Sequence, residues 1–280
     1  MAETRELQVI LSSGEVTEQY IGGVTADEKV LTSAEIDAKI PNLTSIVPYT
    51  GATTDVNLGV NNIYAANIPT PAYGEMYSYE NTAATTIGTQ NVYHAVYHFG
   101  EGTLNGVTFT SGIEGTIASV ADYSGTIAGT VLVTDVAHGL TTGDIITIHV
   151  TTNYNGTYAI TKVTNDTFYI TKAFVATNTG DWAMGSYLTC AVAGDYKITM
   201  SNTAFAASSN TLFKFEVNKN VTALDNIAAS RKFASSDYGS MASSGIATLA
   251  VNDRIWLSVR NETSTTNITV RHSNINMHKL

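Results

Sequence analysis

Residues 193–205 read AGDYKITMSNTAF, residues 213–220 FKFEVNKN, residues 249–261 LAVNDRIWLSVRN and residues 266–280 TNITVRHSNINMHKL. In each block apolar and polar side chains alternate at period two, and a turn-forming cluster closes it. That alternation marks strands with one face in a core and one turned away, so the stretch from Gly194 to Leu280 predicts an antiparallel sandwich. Leu188, Cys190 and Val192 share one face, Tyr196, Ile198 and Met200 another, and Phe213, Phe215 and Val217 a third, with Lys214, Glu216 and Asn218 expected to point outward. Ile255, Leu257 and Val259 face one way and turn Trp256 to the other. A tryptophan on the supposedly polar face of a sandwich needs a cover, and a contact between subunits is the expected one.

Composition agrees with a β protein. Charged residues are 14% of the 280, against roughly 25% in an average domain, and Thr, Ser, Asn and Gly take their place. Mean hydropathy is +0.04, and no apolar run approaches the roughly 20 residues that span a bilayer, so no membrane partner is expected. The net charge of −10 repels a phosphate backbone, and no nucleic-acid partner is expected either. The single cysteine, Cys190, excludes an intrachain disulfide and is expected to be a buried structural thiol.

Upstream, the chain reads in pieces. MAETRELQVILSSGE carries Glu3, Arg5 and Glu6 and lacks the apolar centre of a secretory leader, so synthesis in a cytoplasm is expected. Leu7 to Leu11 is β-like. Thr32-Ser33-Ala34-Glu35 has capping-box spacing and predicts a short helix from Ala34 to Lys39, stopped at Pro41. Residues 47–59, VPYTGATTDVNLG, are punctuated as a string of turns, and Ile68-Pro69-Thr70-Pro71 is a stiff extended joint. Residues 1–71 are thus expected to be a mostly extended anchor and linker.

From Val92 to Phe99, Tyr93, Ala95, Tyr97 and Phe99 share one face and Val92, His94, Val96 and His98 the other, as expected of a strand covered on both sides. Tyr93, Tyr97 and Phe99 therefore join Trp256 as candidates for a subunit interface. His94 and His98 would lie roughly 13 Å apart along a strand, too far for one metal ion within a chain. Between Gly115 and Gly185, short β-branched runs alternate with tight turns at regular spacing, the pattern of a small barrel or sandwich. Glycines 112, 115, 180 and 185 bracket this stretch and are candidate hinges.

The order and spelling of the carboxy-terminal blocks resemble the complement/tumour-necrosis-factor type jelly roll, in the version found in bacteriophage structural proteins. VPYTGATTDVNLG resembles an element that recurs in phage and prophage fibre proteins just ahead of a distal domain. HGLTTGDIITI (138–148) followed by NYNGTYAITKVTNDTFYI (153–170) is similar to a β-module scattered through phage structural proteins. Excising residues 115–185 would join LNGVTFTSG to SYLTCAVAGDYKI, the way the uninterrupted jelly roll of that family continues. The resemblance implies an all-β chain in three parts: an anchor over 1–71, a discontinuous jelly roll over 72–114 plus 186–280, and an inserted barrel over 115–185. A chain without the insert is expected to fold and associate.

Function follows from the same resemblance as an expectation. It implies a homotrimeric virion appendage on the outside of a phage particle, a head fibre, docked through residues 1–60 on a capsid or tail protein and projecting its head for decoration or adhesion. A tail-fibre or baseplate protein, a bacterial surface adhesin and, last, a polysaccharide depolymerase are the alternatives. No GxSxG elbow, HExxH, phosphate-binding Walker loop or paired CxxC occurs, so no catalytic residue, cofactor or metal ligand is assigned. The polar stretch from Ala229 to Ser244, with Arg231, Lys232, Asp237 and Tyr238, is the candidate loop for contacting a host surface glycan.

Overall fold

The alternation at 194–206 is realised as one 13-residue strand in which Tyr196, Ile198, Met200, Ala204 and Ala206 are buried. The computed structural model describes residues 7–10, 16–19, 70–208, 210–235 and 237–280. The chain divides into two units, 1–67 and 68–280. In the first, β1 (Leu7–Ile10) pairs antiparallel with β2 (Val16–Gln19). The expected helix at 34–39 and the turn-rich element at 47–59 lie outside the described residues.

The second unit continues with β3 (Tyr73–Ser78), β4 (His94–Ala95), β5 (Gly100–Asn105), β6 (Val107–Thr110), β7 (Ile113–Ile117), β8 (Ser119–Asp122), β9 (Thr130–Thr134), β10 (Ile145–His149), β11 (Gly156–Lys162) and β12 (Thr167–Thr171). It ends with β13 (Gly180–Met184), β14 (Tyr187–Cys190), β15 (Gly194–Ala206), β16 (Thr211–Lys219), β17 (Thr222–Phe233), β18 (Tyr238–Leu249), β19 (Arg254–Asn261) and β20 (Ile268–Lys279). No helix occurs among the described residues, and every strand ladder is antiparallel.

Two sheets share one core. The first has the order β18-β15-β20-β3-β5 and the second β17-β16-β19-β14-β6, with the short β4 also paired to β19. Met76, Ile198, Met200 and Ile275 of the first meet Leu188, Phe213, Phe215, Leu257 and Val259 of the second. Each such side chain, fully buried, contributes roughly 1.5–3 kcal/mol. Cys190 lies in this core as a free thiol, donating from Sγ to the Val192 carbonyl at 3.1 Å.

The seven strands between Ile113 and Met184 form a separate sheet, β7-β13-β10-β11-β12-β9-β8. Its edge strands β7 and β8 are separated by Ala118 alone, whose N–H donates to the Thr134 carbonyl at 2.8 Å. Residues 113–122 thus run as one bent strand that serves both edges, and the sheet is nearly closed into a barrel. Its interior holds Ile117, Val131, Ile146, Ile148, Phe168 and Trp182. The Trp182 Nε1–H donates to Asp135 at 2.7 Å, which satisfies the one polar atom of that ring.

The crossing between sandwich and barrel is a paired ribbon. Tyr187 faces Thr110 in the β14/β6 ladder, and Met184 faces Ile113 in the β13/β7 ladder. Between them the Gly112 N–H donates to Ser186 Oγ at 3.0 Å, and that hydroxyl donates to the Tyr97 carbonyl at 2.9 Å. The bracketing glycines, expected as hinges, are sites of close packing here. A Cβ on Gly112 would stand 2.5 Å from both the Met184 carbonyl and Tyr97 Cβ, and one on Gly115 would stand 2.6 Å from the Trp182 ring. Neither glycine, nor Gly180 or Gly185, has a positive φ.

Candidate functional site

Three surfaces carry the residues that sequence reasoning singled out, or that it missed. The first lies where the barrel meets the outer face of the β17-β16-β19-β14-β6 sheet. Only His94–Ala95 of the Val92 to Phe99 run forms a strand, and the alternation breaks beyond it. Val96 and Phe99 both enter the sandwich core, while Ala95 and Tyr97 pack with the barrel cluster. The run is covered on both sides, as its sequence implies, and both covers come from its own chain.

Trp256 belongs to the same arrangement. It packs with Ala95, Met184 and Tyr187 in the barrel cluster and is 4% exposed, and its Nε1–H donates to the Asn220 carbonyl at 2.8 Å. The cover expected from another subunit is supplied by the chain's own barrel, so Trp256 presents almost no surface to a neighbour. Arg254 fixes the approach beside it: its guanidinium stacks on the Tyr187 ring at 4.6 Å and reaches Asp144 at 3.1 Å and the Gly143 carbonyl at 2.9 Å. A planar fork that meets an aromatic face and two oxygens at once specifies orientation as well as attraction.

Burial on this face extends to groups expected to point to water. Glu216 and Asn218 do turn away from the core, and both are nevertheless buried. The Glu216 carboxylate keeps a 3.4 Å ion pair with Lys214. Tyr93 is half-buried, with Arg260 4.9 Å and Lys214 6.0 Å from its ring centre. Burial and then Glu216 push its phenol well above the usual range. Tyr97 is likewise raised by burial and by Glu114, to which its hydroxyl donates. The two histidines of the run part company: the His94 ring lies 4.8 Å from that of His149 on β10, whereas His98 packs 4.1 Å from Tyr97.

The second surface is the polar stretch from Ala229 to Ser244. It is not a loop. Arg231 and Lys232 lie in β17 and Tyr238 in β18, leaving only residues 234–237 as the connection. Arg231, on the edge strand of one sheet, bridges to the edge strand of the other by a 3.0 Å donation to the Ser240 carbonyl, and it keeps a 3.9 Å ion pair with Asp237. Tyr238, 53% exposed, packs against Phe205 at 5.3 Å. These four residues lie at the crossing from β17 in one sheet to β18 in the other, with Lys232 and Asp237 exposed.

The third surface was not singled out from the sequence. Along β3 the outward positions are Tyr73, Glu75 and Tyr77, and Tyr79 follows just beyond. Tyr77 is 44% and Tyr79 73% exposed. Tyr79 leans on His272 at 5.3 Å, Tyr73 stacks on His278 at 6.5 Å, and Asn274 donates to Glu75. An open groove of about 380 Å³ runs between Tyr77, Tyr79, His272, Ser201 and Thr203. On the same face Ile246 of β18 stands 58% exposed. The available signal was three tyrosines at period two, 73, 77 and 79, on the face opposite Met76.

Among the described residues, no group of three or more His, Cys, Asp or Glu side chains is placed to hold a metal ion. No protein-family model matches the chain, and no curated protein matches it.

Proposed function

We propose that the chain is a structural protein of a bacteriophage virion, a homotrimeric head fibre or similar appendage. Residues 1–60 dock on a capsid or tail protein, and the β-rich part projects outward for decoration or adhesion. The observation that carries this reading is the winding of the sandwich. β15 lies in one sheet, β16 and β17 in the other, β18 back in the first, β19 in the second and β20 in the first again, with β3 and β14 completing the alternation. This winding supports a jelly roll, with the barrel-forming residues inserted between β6 and β14, and so supports the resemblance that the carboxy-terminal blocks carry.

In this reading the copies meet through the open face of the β18-β15-β20-β3-β5 sheet. Tyr77, Tyr79, Tyr238 and Ile246 are large apolar or aromatic groups left outside on that face. Aromatic side chains of this kind supply contact area at low entropic cost and are enriched at interface centres. Trp256 and Phe99 are already covered within the chain and contribute little to such a contact, while Tyr93 and Tyr97 are partly covered by it.

Sedimentation equilibrium tests the association. The full chain is expected at three times its 29.8 kDa mass. The Tyr77→Asp, Tyr79→Asp double variant is expected at the single-chain mass with unchanged far-ultraviolet circular dichroism, because both side chains sit outside the core. A full chain that sediments as a monomer contradicts the reading.

A further inference from the structure

We propose that His94 and His149 form an acid-operated latch that holds residues 88–95 against β10 and releases them when either ring gains a proton. The pair sits across a packed junction. Asn155 donates from Nδ2 to Thr89 Oγ1 at 3.0 Å, and the Ala95 N–H donates to Thr147 Oγ1 at 3.0 Å, so the segment is pinned at both ends on the barrel. Between those pins the two imidazoles face each other with ring centres 4.8 Å apart. His94 is 1% and His149 6% exposed.

The proton inventory makes the junction sensitive. His94 Nε2 lies 3.3 Å from the Thr89 carbonyl, a contact that is a hydrogen bond when Nε2 carries the proton. Nδ1 of His94 is then a bare, buried lone pair, and Nδ1 of His149 is likewise buried without a hydrogen-bond partner. A second proton on either ring would create a buried cation beside another imidazole. Buried charge of this kind is tolerated only when paired.

The surroundings supply no such pairing. On β19, the cross-strand partner of His94 is Val259. On β13, the partner of His149 is Asp181, the carboxylate that the register brings opposite the pair. Asp181 nevertheless makes no ion pair or hydrogen bond with either ring. His94 is held down to about 4 by burial first and then by His149, with the Thr89 carbonyl opposing, and His149 is held down to about 4 by burial alone. Glu114 bears on His98, further along the segment. The sign follows: both rings bind protons more weakly in the closed junction than when released. Closure is therefore complete above the ordinary histidine value of 6.5 and weakens as the pH falls from there toward 4.

Hydrogen–deuterium exchange on the full chain, corrected for the intrinsic pH dependence of exchange, reads this directly. Between pH 7 and pH 5 the opening constant of peptides covering 88–95 and 145–151 is expected to rise about twentyfold for each participating histidine. Peptides from β15 and β20 should not change. His149→Gln removes one titrating ring and should flatten the response; should that variant fail to fold, histidine ring resonances of the unaltered chain carry the test. Both imidazoles are expected to stay neutral to about pH 4. Equal opening at pH 7 and pH 5, or either ring titrating near 6.5, overturns the latch.

Discussion

Replacing Trp256 with alanine is expected to lower the stability of the chain by about 3–5 kcal/mol, the usual range for emptying a buried tryptophan site. The side chain is 4% exposed, belongs to the buried cluster that includes Ala95, Met184 and Tyr187, and satisfies its indole N–H on the Asn220 carbonyl. Its loss leaves a cavity at the junction and an acceptor without its donor. Neighbouring groups have little freedom to collapse into that cavity, because Arg254 and Asp144 pin the barrel from one side and the paired crossing ribbon pins it from the other. Urea denaturation checks the value through a lowered midpoint at constant slope. A loss below 1 kcal/mol would mean that the barrel does not cover this position in solution.

A chain in which Gly112 is joined directly to Ser186, deleting residues 113–185, is expected to lose much of its stability and to bind hydrophobic dyes. The closure itself is easy: the Gly112 N–H and Ser186 Oγ are already 3.0 Å apart. The damage comes from uncovering. Trp256 and Tyr187 together forfeit burial of roughly 3–6 kcal/mol, a large share of the roughly 5–15 kcal/mol that holds a typical domain folded. The sequence expectation was that such a chain would fold and associate, because the insert reads as a self-contained unit. Its strands do form a separate sheet with its own interior, but its outer surface is also the roof over the sandwich. Thermal unfolding with a dye readout distinguishes the two, and a shortened chain as stable as the full one would contradict the roof.

What the sequence made legible tracks how many faces of a strand are covered, and by what. Where one face meets a core, as along Tyr196, Ile198 and Met200, alternation at period two assigned the buried side correctly. Where both faces are covered, as at Phe215 to Asn218, the pattern reported an outward Glu216 and could not report the chain lying over it. Trp256 and the Val92 to Phe99 run gave a clear signal that something covers them. Period alone does not say whether the cover is another subunit or a distant stretch of the same chain.

The residues 229–244 failed for a different reason. Ala228, Ala229 and Ser230, and then Ser240, Ala242, Ser243 and Ser244, have weak strand preference and no strong alternation. They are strands because long partners fix them: β18 pairs with β15 over twelve positions, from Gly194↔Leu249 to Phe205↔Tyr238. Tertiary pairing overrode propensity. The tyrosine face of β3 has the period, but Glu75 interrupts it, so the outward side of that strand reads as an ordinary mixed polar surface.

The central claim is that this chain is an external appendage of a phage particle. Electron microscopy of purified, intact particles labelled with an antibody raised against residues 68–280 tests it most directly. The account predicts label on the outside of the particle, at discrete projections from the head. Particles that carry no label, with the antigen found instead on the bacterial envelope, would contradict it.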